Sequence, residues 1–134
     1  MTSKILTAVF SLLIYGAVMT FPGASIAGSK AIYENPVEPQ AGPKINLGRM
    51  NFEAYCASCH GKTGRGTDKG PTFISPVYHP GHHADGSFYL AAKRGARAHH
   101  WKFGDMEPIP GISDAQITSI IEYVRAVQKA NGLF

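Results

Sequence analysis

The chain has only two cysteines, and they stand three residues apart directly before a histidine, in Cys56-Ala57-Ser58-Cys59-His60. Two thiols on one helical turn can form thioether bonds to the two vinyl groups along one haem edge. The next residue can then turn its imidazole toward the iron as proximal ligand. Other uses of the pair fit less well. A zinc site built on Cys-x-x-Cys needs a second ligand pair, and no further cysteine exists. A thioredoxin-like redox pair belongs to a βαβ context, for which the chain has no strand pattern. A disulfide closing so short a loop would constrain little of the unfolded chain.

An iron held by His60 needs a sixth ligand or keeps an open position. Met106 is the only methionine after the motif, and a neutral thioether stabilises reduced iron and raises the potential, which suits electron transfer. Met106 is therefore the expected ligand. His79, His82, His83, His99 and His100 are the imidazole alternatives, and an open site is the third. These histidines are expected to be solvated loop residues. A surface copper or zinc site built from them would draw one histidine from each adjacent pair. The sole tryptophan, Trp101, lies in the same loop as Met106, and its indole N–H either bonds a haem propionate or fills core. Phe73, Tyr78, Phe88 and Phe103 are assigned to the apolar wall of the haem crevice.

The elements that must position these groups are helical. From Ile45 the residues Leu47, Met50, Phe52, Ala54 and Tyr55 lead into the cysteines at helix-like spacing. Residues 61–83 are rich in Gly and Pro and form a long loop. Asp85 to Gly95 reads as a short helix, with Asp85 as N-cap and Gly95 as stop. A second loop spans 96–112. Ser113-Asp-Ala-Gln116 is a capping box, Ile117, Ile120, Ile121, Val124 and Val127 repeat behind it, and Asn131-Gly132 ends the helix. No strand-like alternation appears. Three short helices bury little apolar area, and a domain this small is marginal without a staple; a flat apolar cofactor inside it would supply the missing core.

From Ile45 to Phe134 the chain resembles a small monohaem class I cytochrome c of the bacterial type. The resemblance rests on the Cys56–His60 motif and on Gly48, Phe52 and Cys56, each four residues from the last, where the family has a glycine, an aromatic and the first cysteine. It implies an all-α cytochrome c fold of three to four short helices and long loops wrapped around one covalent haem c. It also implies that the last helix crosses the first near Gly48, with Ile120 or Tyr123 against it, where a missing side chain allows close approach. Pro71 matches the family proline whose carbonyl receives the proximal imidazole Nδ1–H. The family's distal Met-Pro pair is replaced here by Met106-Glu107-Pro108.

The remaining features bound location and partners. Lys4, the apolar run from Ile5 to Phe21 and the small-residue end at Ser25-Ile26-Ala27 make residues 1–27 a secretory signal, with an uncleaved anchor as the alternative. Either delivers the rest across the membrane, so the periplasm is expected. Residues 28–44 read as a Pro-rich flexible leader, and 45–134 as the cytochrome domain. Loss of 1–27 removes Lys4 alone among the charged residues, so the formal charge falls from +4 to +3, and two haem propionates bring it near +1. Neither that charge nor any long basic run argues for nucleic acid. Lys62, Arg65 and Lys69 after the motif, and Lys93, Arg94, Arg97 and Lys102 around the second loop, either steer an acidic redox partner or are ordinary solvated surface. The function implied is single-electron transfer with periplasmic proteins, without enzymatic activity of the chain alone and with no membrane span unless the signal is retained. Three alternatives are a dedicated haem subunit of a periplasmic oxidoreductase, a ligand-binding haem sensor, and a metal-binding protein that uses the histidine pairs.

Overall fold

The computed structural model describes residues 32–134; the signal assigned to 1–27 lies outside these residues. Four helices follow in order: α1 (Pro43–Tyr55), α2 (Ala57–His60), α3 (Asp85–Arg94) and α4 (Asp114–Ala130). Two single 3₁₀ turns, Lys62–Gly64 and Pro76–Tyr78, punctuate the long loop between α2 and α3. Among the described residues the only β-type pairing is one antiparallel bridge, Ala96 with Met106.

The framework is the crossing of α1 and α4. A Cβ built on Gly48 would overlap the Ser119 carbonyl oxygen and come within 2.7 Å of Tyr123 Cβ, so the two backbones meet where only glycine fits. Phe52, fully buried, packs one turn on against Tyr123 with ring centroids 5.4 Å apart. Asn51 Nδ2 donates to Ser119 Oγ (2.8 Å) and Gln116 Nε2 to the Tyr55 hydroxyl (2.9 Å), fixing the register of the crossing. Leu47 and Met50, which fell into the helical pattern, are 54% and 63% exposed, so the buried stripe of α1 runs through Gly48 and Phe52 instead.

The ends of α4 follow their local chemistry. Ser113 and Gln116 form the capping box at its start. At its end Gly132 adopts φ +70°, Gly132 N–H donates to Lys129 O and Leu133 N–H to Gln128 O, the paired bonds of a Schellman motif. α3 differs from expectation at its start. Its N-cap is Ala84, not Asp85, and the Asp85 carboxylate accepts from Arg125 Nε on α4 at 2.7 Å. An ion pair to a neighbouring helix has displaced the capping role.

The stretch 28–44 also differs from a flexible leader where it is described. Tyr33 N–H donates to Arg65 O, Val37 exchanges hydrogen bonds with the Asn131 side chain, and the Glu38 carboxylate accepts from Thr63 and Tyr123. The segment forms no regular element before Pro43, and the Asn131 side chain at the end of α4 satisfies both backbone groups of Val37. Pro43 and Lys44 already belong to α1, with Pro43 in its first turn.

Candidate haem site

Cys56 terminates α1 and α2 carries Ala57 to His60, so the two thiols and the imidazole sit on consecutive turns at a break between helices. The cysteines are not joined by a disulfide; Cys56 is half-buried and Cys59 exposed. Burial, with the neighbouring Cys59 adding to it, pushes the Cys56 thiol up to about 12. Both sulfurs are available for thioether bonds along one edge of a flat group.

His60 is oriented by the chain behind it. Its Nδ1 stands 2.9 Å from the Pro71 carbonyl oxygen, which leaves Nε2 as the free donor atom. Burial holds its imidazole below the ordinary pKa, with the Pro71 bond pulling the other way, so the neutral form required of a ligand prevails at neutral pH. The Phe73 ring stacks on the imidazole at 4.2 Å, and Tyr78 and Phe88 lie edge-on or tilted to Phe73 at 5.1 and 5.5 Å. These three form an aromatic wall beside His60; Phe103 is half-buried but stands outside the core cluster.

Two residues that sequence reasoning missed hold this wall in place. Gln128 is fully buried on α4, and its Nε2 donates to the carbonyls of Phe73 (2.9 Å) and Tyr78 (3.2 Å). Arg125 donates to Tyr78 O, His83 O, Gln128 Oε1 and Asp85, and its guanidinium lies 4.8 Å from the Phe88 ring centroid. The signal was present: four residues beyond Val124, Gln128 falls on the apolar stripe of α4, where a polar side chain must find internal partners.

The loop 96–112 places Met106 and Trp101. Met106 is half-buried, and its backbone exchanges two hydrogen bonds with Ala96 (2.8 and 2.9 Å). Asp105 Oδ1 accepts from Ala98 N–H at 2.9 Å, and Ile109 N–H bonds back to Ala92 O on α3. The Trp101 indole Nε1 is buried without a hydrogen-bond partner. The Tyr78 phenol is near enough to be influenced by the indole, yet burial dominates its raised pKa and the two groups do not meet with hydrogen-bond geometry. A buried donor left unpaired calls for an acceptor, and a haem propionate would be one. Unbridged thiols, a free His60 Nε2, an aromatic wall and an orphaned indole donor together fit a haem.

The loop histidines are not scattered. His82, His83 and His100 bring ring nitrogens within 4.8 Å of one another, and His99 stacks on His83. Burial first, then the charges of His99, His83 and His82, holds His100 below its ordinary pKa. His79 turns away to Phe134. Both members of the pair His82-His83 reach the cluster, against the expectation of one from each pair, because the turn over His79–His83 sets their rings 4.7 Å apart.

The basic residues divide. Lys93 is engaged by Asp114 (2.7 Å) and the Ile112 carbonyl, whereas Lys62, Arg65 and Lys69 are exposed and make no ion pair among the described residues. No described helix is long and apolar enough to cross a membrane.

Residues 45–128 match the Cytochrome c family, so the chain belongs to that family. It is a haem-binding electron-transfer domain of all-α fold, and its cofactor is haem c, bound covalently through Cys56 and Cys59. No individual curated protein and no solved structure gives a significant match.

Proposed function

We propose that the protein is an exported, closed one-electron carrier in which His60 and Met106 would both ligate the haem iron. The haem supplies a reversible one-electron couple when bound. The chain supplies fixed ligands and a dry crevice. Pro71 fixes the His60 ring, and the Ala96–Met106 bridge fixes the loop that presents the thioether. Gln128 and Arg125 lock the aromatic wall, and the Trp101 N–H binds a propionate. Ligands that do not move as the charge changes keep the reorganisation cost of transfer small.

The observation that carries the reading is the engaged Nδ1 of His60, which leaves Nε2 as its only ligating atom beside the two thiols. Lys62, Arg65 and Lys69, exposed after the haem-attachment helix, favour an acidic redox partner in the periplasm through long-range attraction. The carrier reading is tested by potentiometric titration of the haem-loaded protein together with exposure of its reduced form to carbon monoxide at neutral pH. A reversible one-electron wave without carbon monoxide binding is expected. Rapid, stoichiometric carbon monoxide binding would replace the carrier by a ligand-binding haem protein.

A further inference from the structure

Four of the five histidines outside the attachment motif gather where two loops meet, and none of them is needed by the haem site described above. His82 Nε2 and His100 Nε2 are 3.2 Å apart. Two nitrogens of a tetrahedral zinc site, each about 2.0–2.1 Å from the ion, stand about 3.3 Å apart. His83 contributes the third nitrogen. Its Nδ1 is 2.6 Å from the Val77 carbonyl oxygen, so Nδ1 carries the proton and Nε2 keeps its lone pair. The backbone that bears it is held as well, since His82 N–H and His83 N–H both bond to His79 O and Arg125 binds the His83 carbonyl. A carbonyl behind a ligating imidazole is the arrangement by which proteins orient histidines toward metals.

We propose that His82, His83 and His100 form a binding site for one divalent first-row transition ion of the imidazole-preferring class, zinc or copper. A fourth position is left to solvent, or to His99, whose Nδ1 is held by the Arg97 carbonyl at 2.7 Å. Three neutral nitrogen donors select such ions over calcium or magnesium, which require oxygen. His82 and His83 precede α3, whereas His100 lies in the loop that continues through Trp101 to Met106. A bound ion therefore ties the two loops together and stiffens the one that presents the thioether. The competing occupant is a proton: a plain His82–His100 hydrogen bond accounts for the 3.2 Å distance without a metal.

The test uses the haem-loaded full chain freed of metal by a chelator, titrated separately with zinc chloride by calorimetry and with copper(II) by electron paramagnetic resonance. One ion per chain is expected, with nitrogen hyperfine structure on the copper signal. His82→Ala, His83→Ala and His100→Ala each weaken binding by about ten-fold or more, whereas His79→Ala leaves it unchanged. Absence of stoichiometric binding, or binding that survives all three substitutions, overturns the site in favour of the proton-sharing pair. If a variant loses its haem spectrum, the unaltered protein decides. Zinc must then shift the imidazole proton resonances of His82, His83 and His100, and shifts confined to other residues overturn the proposal.

Discussion

Ala96 and Met106 exchange both of their backbone hydrogen bonds, at 2.9 and 2.8 Å, so Met106 is registered against the chain just beyond α3. The contact depends on Gly95. That residue has φ +78°, and a Cβ there would overlap the Met106 carbonyl oxygen and stand 3.2 Å from Pro108 Cδ.

Gly95→Ala is therefore expected to destabilise the protein by more than about 1 kcal/mol, because alanine tolerates neither the backbone angle nor the space. Its more specific effect is on the Met106 loop. Carbon monoxide should bind the reduced variant at neutral pH, as measured by absorbance. A variant that is less stable but still closed to carbon monoxide would show that the bridge does not position Met106.

At the helix crossing, Gly48→Ala forces a methyl group against the Ser119 carbonyl, a backbone atom that cannot step aside. Overpacking of this kind costs about 1–3 kcal/mol. Urea denaturation of the haem-loaded variant should show a lower midpoint with an unchanged slope, and the spectrum of the folded form should not move.

The segment before α1 is held through Glu38, which accepts from Thr63 and Tyr123. Thr63 is a β-branched residue at φ +59°, a conformation that persists only when its surroundings enforce it. Glu38→Ala should cost about 1–3 kcal/mol by leaving the Thr63 and Tyr123 hydroxyls without their acceptor. It should also speed hydrogen exchange at the Tyr33 amide, measured by mass spectrometry. Unchanged exchange would mean that the segment is anchored elsewhere.

Tyr123 supplies a pH dependence. Burial first, then the charge and hydrogen bond of Glu38, raise its phenol above the ordinary 10.0. The folded state thus keeps a proton that the unfolded state loses, so this contribution is intact below pH 10 and declines as pH rises toward the folded value. Tyr123→Phe should flatten the alkaline fall in stability, measured as denaturation midpoint against pH. An identical alkaline slope would contradict the assignment.

Much of the site was legible because its chemistry is local. The cysteine spacing, the following histidine and the capping box at Ser113 are each set by neighbours within one helical turn. Long-range partners were not legible. Position alone makes Asp85 a candidate cap, and nothing nearby in the sequence reveals the Arg125 guanidinium that claims it. The docking of the segment before α1 was not legible either: Val37 meets Asn131 across nearly the whole described chain. Gln128 could have been found by asking where a polar residue on an apolar stripe would find its partners. The gathering of His82, His83 and His100 depends on how two loops meet, which no single-chain spacing encodes.

Ligation of the haem iron by both His60 and Met106 is tested most directly by absorption spectroscopy of the oxidised, haem-loaded protein. Thioether sulfur bound to ferric haem gives a weak long-wavelength charge-transfer band. That band is predicted in the unaltered protein, retained in His100→Ala and lost in Met106→Ala. A low-spin spectrum without the band, unchanged by Met106→Ala, would give the sixth position to a histidine, and a high-spin spectrum would contradict the closed carrier outright.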